Sequence, residues 1–294
     1  MQARHLLVVT LTLAGLLTGC SLQQPATQPA MTHLVIAEPE QAEFRYEIEL
    51  AKLNQVLMQD DLDAEQKGMA YYRRGALYDA LGLRTLARMD FTRAIDYQPR
   101  LADAYNFLGI QYTELAEFDY AYEALDSAIE LDPEHPYAFL NRGIAQYYDH
   151  RTKYAIDDFQ HHLALDPSDP YRILWLFLAE QRTDKELARQ NLLNNAAAIE
   201  PNDWALDLVN LYAGKLSEQD FLAGMTKNLR DDEKLTERLC EAYFYLGKYK
   251  QMSGQWAQAV NYFKLALTTN VYNFVEHRYA QLELQDSREQ LTQP

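Results

Sequence analysis

Four prolines, Pro99, Pro133, Pro167 and Pro201, stand 34 residues apart in three successive steps. A fixed period of this length marks a solenoid whose unit is one helix–turn–helix hairpin. Such a unit cannot bury its apolar stripe alone and does so against its neighbours. The chain is therefore expected to form a stack of helical hairpins.

The interior of each unit agrees. The first carries Tyr71, Arg74-Gly75 and Tyr78, then Ala87 and Phe91 before Pro99. The second carries Tyr105, Leu108-Gly109 and Tyr112, then Ala121 and Leu125 before Pro133. The third carries Phe139, Arg142-Gly143 and Gln146, then Ala155 and Phe159 before Pro167. The glycine and the alanine let the two helices approach closely, the aromatic and leucine side chains fill the space between, and the proline follows a helix it cannot continue. This is the tetratricopeptide pattern. The expected fold class is all-α, a tetratricopeptide-repeat right-handed superhelix with flanking non-repeat helices. Repeats are placed at about 68–101, 102–135 and 136–169, with a degenerate unit at 170–203. There Phe177 stands for the glycine and Arg189 for the alanine, with Leu193, Ala196 and Pro201 retained. The pattern returns at 240–273 with Tyr243, Leu246-Gly247, Ala259 and Phe263. Between them, Trp204, Leu208, Leu211 and Tyr212 mark one helix, and Ser217 with Asp220 suggests the capped start of another.

Ahead of the repeats, residues 1–19 form a lipoprotein signal peptide: Arg4 and His5, then an apolar run from Leu6 to Leu17 that is short for a membrane span. It ends Leu17-Thr18-Gly19-Cys20, which resembles the bacterial lipobox and makes Cys20 the expected lipidation site. Each buried methylene of the attached chains is worth ~0.8 kcal/mol, so several chains anchor firmly. Ser21 rather than Asp follows the cysteine, which by resemblance to Gram-negative sorting favours the outer membrane. Residues 20–39 form the lipidated N-terminus and a flexible tether, with a reach on the order of 25 Å. The helical domain is placed at 40–290. Its first helix, at 40–58, shows Phe44, Ile48, Ala51, Leu53, Val56 and Leu57 as a broad apolar face, which either caps the first repeat or exchanges with a second copy. Asp63 is the expected N-cap of the next helix. At the far end, residues 273–290 suit a solvated capping helix.

Composition narrows function. The net charge is −16, a poor match for nucleic acid or an anionic membrane surface. Of two cysteines, Cys240 has no partner in the mature chain and reads as a small packed hydrophobe, with an intermolecular disulfide as the sharper alternative. There is no nucleophile motif, phosphate loop or zinc spacing, so neither a cofactor nor a metal is expected, and an enzyme is disfavoured. Asp157, Asp158, His161 and His162 pair at helical spacing and could in principle grip a metal, but helices this polar usually show such pairs to solvent, and packing or hydrogen bonding explains His162 better. The first helix of each hairpin is expected to line a groove for protein partners through Tyr72, Asp79, Asn106, Ile110, Tyr137, Leu140, Ile144 and Tyr148. This surface is aromatic and aliphatic, unlike the Lys, Asn and Arg clamps that hold acidic peptide tails. The competing reading fills this face with the chain's own terminal helices.

Beyond the lipobox, five segments carry a closer resemblance: Arg74–Asp79, Asn141–Ala145, Trp175–Gln181, Tyr245–Tyr249 and Asn273–Ala280. From Cys20 to about Leu284 the chain is similar to the NlpI family of outer-membrane tetratricopeptide-repeat lipoproteins, less so in the tether, in 184–235 and in the last residues. The resemblance implies a homodimer, lipid-anchored and facing the periplasm, without catalysis of its own. It implies an adaptor that presents peptidoglycan endopeptidases to a periplasmic C-terminal-processing protease and gathers cell-wall synthesis and hydrolysis factors. The alternative is a structural envelope-assembly scaffold with no role in proteolysis.

Overall fold

The computed structural model describes residues 34–201, 203–229 and 234–292. The expected signal peptide, Cys20 and the tether up to residue 33 lie outside the described residues. Contacts divide the chain into residues 1–34 and 35–294, and the second unit holds every helix that follows. In order these are α1 (Phe44–Leu57), α2 (Ala64–Ala80), α3 (Arg84–Tyr97), α4 (Ala102–Glu114), α5 (Phe118–Leu131), α6 (Ala138–Tyr148) and α7 (Thr152–Leu165). Then come α8 (Pro170–Glu180), α9 (Lys185–Asn195), a 3-10 turn at Ala196–Ala198, α10 (Leu206–Tyr212), α11 (Glu218–Gly224), α12 (Leu235–Met252), α13 (Trp256–Leu267) and α14 (Val275–Thr292). There is no strand among the described residues. The architecture is the expected all-helical array of tetratricopeptide-type hairpins.

Each regular hairpin closes on a glycine and a large apolar side chain 16 residues later. A methyl group on Gly109 would sit 2.3 Å from Leu125 Cγ, and one on Gly247 would sit 2.5 Å from Phe263 Cε1. Gly75 meets Phe91 and Gly143 meets Phe159 in the same way. The turn between the two helices holds one left-handed residue, at Gly82, Ala116, His150 and Gly254. Two hairpins add a fork between their helices. Arg74 Nε and Nη2 donate to Asp90 at 2.6 and 2.9 Å, and Arg142 Nε and Nη2 donate to Asp158 at 2.8 Å each. Such bidentate pairs fix geometry as well as adding energy. Asp63 caps α2 in a reciprocal capping box with Gln66, and Ser217 accepts from the Asp220 N–H to start α11.

Helices α3, α5 and α7 each stop two residues before their proline, as the period requires. The fourth unit departs from this frame. Helix α9 runs one residue early, so Ala188 and Leu192 are its buried pair, while Arg189 is exposed and Leu193 only half-buried. The expected Arg189-for-alanine replacement is thus a register slip. With Phe177 in the glycine's place, the close approach that fixes register is lost, and the Phe177 ring instead meets Tyr212 edge-on at 5.6 Å. A line of rings then joins the middle of the array to its end: Phe159 to Trp175 at 5.8 Å, Trp175 to Phe244 at 6.1 Å, Phe244 to Phe263 at 5.9 Å. Burying each such side chain contributes ~1.5–3 kcal/mol.

The flanking helices differ from expectation. Helix α1 rests half-buried Leu53, Val56 and Leu57 on α2 but turns Phe44, Ile48 and Ala51 outward, and it buries no residue fully. Helix α14 is not a solvated cap. It packs on α12, α13 and α4 and buries eight residues, among them Glu276, His277, Arg278 and Glu283. Arg278 and Glu283 go inside because each meets an opposite charge there.

Candidate concave binding site

The partners of α14 build the site. Asp79, only 1% exposed near the C-terminus of α2, accepts from the Arg278 guanidinium, from Arg84 Nη1 at 2.8 Å and from Gln111 Nε2 at 3.3 Å. Burial alone would push the Asp79 carboxyl up, but Arg278 and Arg84 outweigh it and hold it below the ordinary carboxylate range. Arg278 also reaches Glu114 at 3.3 Å. One helical turn along α14, Glu283 accepts from Lys248 at 2.5 Å and from the Tyr148 hydroxyl at 2.8 Å. Burial lowers the Lys248 pKa, and Glu283 more than restores it. Tyr279 completes the lock, its ring 5.3 Å from that of Tyr148 and 6.4 Å from Trp175. Helix α14 therefore ties the first hairpins to the last.

On one side of this lock lies a cavity of about 770 Å³, framed by α2, α4, α6, α8 and the start of α14. Its volume falls in the range of small-ligand pockets, about 300–1,000 Å³. Ala76, Phe107, Ile110, Leu140, Trp175 and Phe274 give it apolar walls. Asn141 Nδ2 donates to Asn106 Oδ1 at 2.9 Å, so two buried carboxamides from successive hairpins meet there. Arg172 is held by Asp169 at 3.2 Å and by the His162 carbonyl at 2.7 Å. His162 is 2% exposed, and its Nδ1 has no hydrogen-bond partner. Burial drives its pKa down to about 4, so the ring is neutral at ordinary pH. Burial likewise pushes Glu276 up to about 7.

Of the eight groove residues read from sequence, Asp79, Asn106, Ile110, Tyr137 and Leu140 line this cavity. Tyr137 is 54% exposed at its mouth. The other three do not. Tyr72 packs against Phe91 and Phe107, with ring centroids 6.1 and 6.2 Å away. Ile144 is fully buried, and Tyr148 is committed to Glu283 beside a second recess of about 650 Å³ on the other flank of α14. Asp79 lines the cavity but is already paired. The reading that a terminal helix fills part of this face is thus correct for α14. Sequence reasoning missed Asn141, His162, Arg172, Trp175 and Tyr279. The first lies one residue after Leu140 on the same helix, a signal that the carboxamide at Asn106, 35 residues earlier, repeats.

Asp157, Asp158, His161 and His162 do not converge on a metal. Asp158 is held by Arg142, and the His161 ring lies 3.8 Å from Phe139. Among the described residues no group of three or more His, Cys, Asp or Glu is placed to hold a metal ion. No described helix is long and apolar enough to cross a membrane. Cys240 is fully buried and its thiol pKa is pushed up by burial, which fits the packed hydrophobe rather than an intermolecular disulfide.

No family model matches the chain. Among solved structures, it is similar to a tetratricopeptide repeat protein from Parabacteroides merdae, at 18% identity over 83% of this chain and 98% of that one, with a TM-score of 0.49. It is similar to Pseudomonas aeruginosa pilF at 18% identity over 75% and 99%, with a TM-score of 0.46. The C-terminal part of a repeat-containing protein from Cytophaga hutchinsonii matches at 15% identity over 85% and 95%, with a TM-score of 0.48. Likenesses this distant add nothing to what the hairpins themselves show. By its residues and its packing, the chain is a tetratricopeptide-type repeat array.

Proposed function

We propose that this chain is a non-catalytic, membrane-anchored adaptor of the NlpI type. It binds periplasmic proteins, presents peptidoglycan endopeptidases to a C-terminal-processing protease and organises cell-wall hydrolases. The observation that carries a binding role is the concave cavity, an apolar recess framed by the first helices of four successive hairpins and fixed by ring packing and ion pairs. A rigid scaffold of this kind works through effective concentration: two proteins held on one body meet far more often than free ones. Leu17-Thr18-Gly19-Cys20 supports anchoring through Cys20 in the outer membrane, facing the periplasm. The outward apolar positions of α1, Phe44 and Ile48, support a homodimer.

The test is degradation of a cell-wall endopeptidase by a periplasmic C-terminal-processing protease, with and without the full chain. Acceleration at substoichiometric chain is expected. Binding to either protein without acceleration would replace the adaptor with a structural scaffold. In cells, Cys20→Ala is expected to release the folded protein from the membrane fraction, and its retention there would count against lipidation.

A further inference from the structure

The concave cavity is not walled by the repeats alone. Residues 35–43 run without regular secondary structure from the α12–α13 hairpin to the start of α1, as a strap. Two fastenings hold it. Val35 and Tyr243 form a clasp: the Val35 N–H donates to the Tyr243 hydroxyl at 3.1 Å, and that hydroxyl donates to the Val35 carbonyl. Further along, the Glu40 N–H donates to the Thr269 carbonyl at 2.7 Å, and Lys234 Nζ donates to the Glu40 carboxylate at 2.7 Å. Beside the strap lies a pocket of about 260 Å³, lined by residues 40–43 and residues 270–274. Tyr46, Ala80, Asn273 and Phe274 line both this pocket and the concave cavity, so the two spaces adjoin. Tyr46 is what α1 contributes to that shared wall.

This fastening is weak where the α14 lock is strong. Lys234 is 50% and Glu40 30% exposed, and an ion pair so open to water contributes little. Ile36 points to solvent, while Val35, Ala37 and Glu40 are only half-buried. Helix α1 starts without a side-chain cap, and among residues 44–49 only Tyr46 is half-buried. The second half of α1 is held better, by Leu53, Val56 and Leu57 on α2 and by Asn54, which accepts from Arg74 at 2.7 Å. Segments with few buried apolar contacts open before the body they rest on.

We infer that the strap and the first turn of α1 form a gate on the concave cavity. Closed, Tyr46 walls off the cavity at its α2–α14 end. Released at the Val35 clasp and the Glu40 pair, the gate swings about the fixed second half of α1 and opens that end to solvent. Its role in admitting a partner segment rests on reading the concave face as the partner site; its motion does not.

The test uses the full chain with Ala80→Cys, a thiol placed in the shared wall. Wild type, with Cys240 buried, gives the background. Labelling is timed with a small reagent, methyl methanethiosulfonate, and a bulky one, fluorescein maleimide. Adding Tyr243→Phe removes the clasp and keeps the ring. It is expected to speed amide exchange at Val35 and Glu40 at least tenfold and bulky labelling at least fivefold, with small-reagent labelling changed less than twofold. Lys234→Ala, an exposed change, is expected to do the same to a lesser degree and serves if Tyr243→Phe does not fold. Unchanged exchange at Val35 would overturn the inference, because the clasp would not hold the strap. So would faster exchange with unchanged bulky labelling, or equal acceleration of both reagents. The two readings fail separately. A gated thiol without accelerated degradation removes the adaptor and leaves the gate. Accelerated degradation with ungated labelling removes the gate and leaves the adaptor.

Discussion

Two helices flank the repeats, and they attach in opposite ways. Helix α1 is rich in apolar residues yet buries none of them fully, with Phe44 72% exposed. Helix α14 is rich in charge yet buries eight residues. Hydrophobicity sets the upper limit of what a helix gains by burial, but the partner surface decides whether it is buried. Helix α1 packs chiefly on α2, which covers one of its sides. Helix α14 meets Asp79 and Glu114 from the first two hairpins and Lys248 from the last, and these offset the cost of burying Arg278 and Glu283. Its ion pairs are selective rather than merely stabilising, because removing one partner leaves the other charge buried alone.

Substitutions at the two helices break this contrast most sharply. Arg278→Ala is expected to cost about 3–5 kcal/mol by urea unfolding, since Asp79 is left buried with less than its full set of donors. A loss below about 1 kcal/mol would mean α14 is not the lock described here. Within the array, Gly109→Ala is expected to cost about 1–3 kcal/mol, because the new methyl would lie 2.3 Å from Leu125 Cγ. Glu276→Gln sharpens the comparison through pH. Burial raises the folded-state Glu276 pKa to about 7 from an ordinary 4.5, so the folded chain holds a proton that the unfolded chain has released. Stability from this group therefore falls as pH rises from 4.5 to 7. Glu276→Gln should match wild type near pH 4.5 and exceed it by roughly 3 kcal/mol at pH 8. His162 and His277, both lowered to about 4 chiefly by burial, act in the other direction and lose stability as pH falls from 6.5 to 4. Smaller still, Ala116→Gly should gain about 0.5–1 kcal/mol by relieving the left-handed turn at φ 57°. At the far end of the scale, Phe44→Ala is expected to change the unfolding of a monomer by less than about 0.5 kcal/mol. A larger loss that depends on protein concentration would place α1 in a contact between copies.

The regular hairpins were legible because their geometry hangs on residue types with no substitute. Gly75, Gly109, Gly143 and Gly247 each face a bulky side chain 16 residues on, and that spacing is visible without coordinates. Where Phe177 removes the glycine, nothing in the local pattern pins α9, and the one-residue slip to Ala188 could not be read. Half of the groove followed from repeat position, as Asn106, Ile110, Tyr137 and Leu140 show. The other half depended on α14, whose contacts lie up to 199 residues away in sequence, as between Asp79 and Arg278. A charged helix outside the repeat frame carries no periodic sign of which carboxylate it will meet, so it read as a solvated cap.

The proposed function places partner binding at the concave cavity. The most direct measurement places a photo-crosslinking benzoylphenylalanine at Tyr137, in the cavity mouth, and separately at Tyr120, which is 59% exposed on α5 and does not line the cavity. Each variant is irradiated with purified endopeptidase, with purified protease and with both. A discrete adduct is expected from position 137 and none from position 120. Adducts from 120 alone would contradict it and move the partner surface to the outer helices.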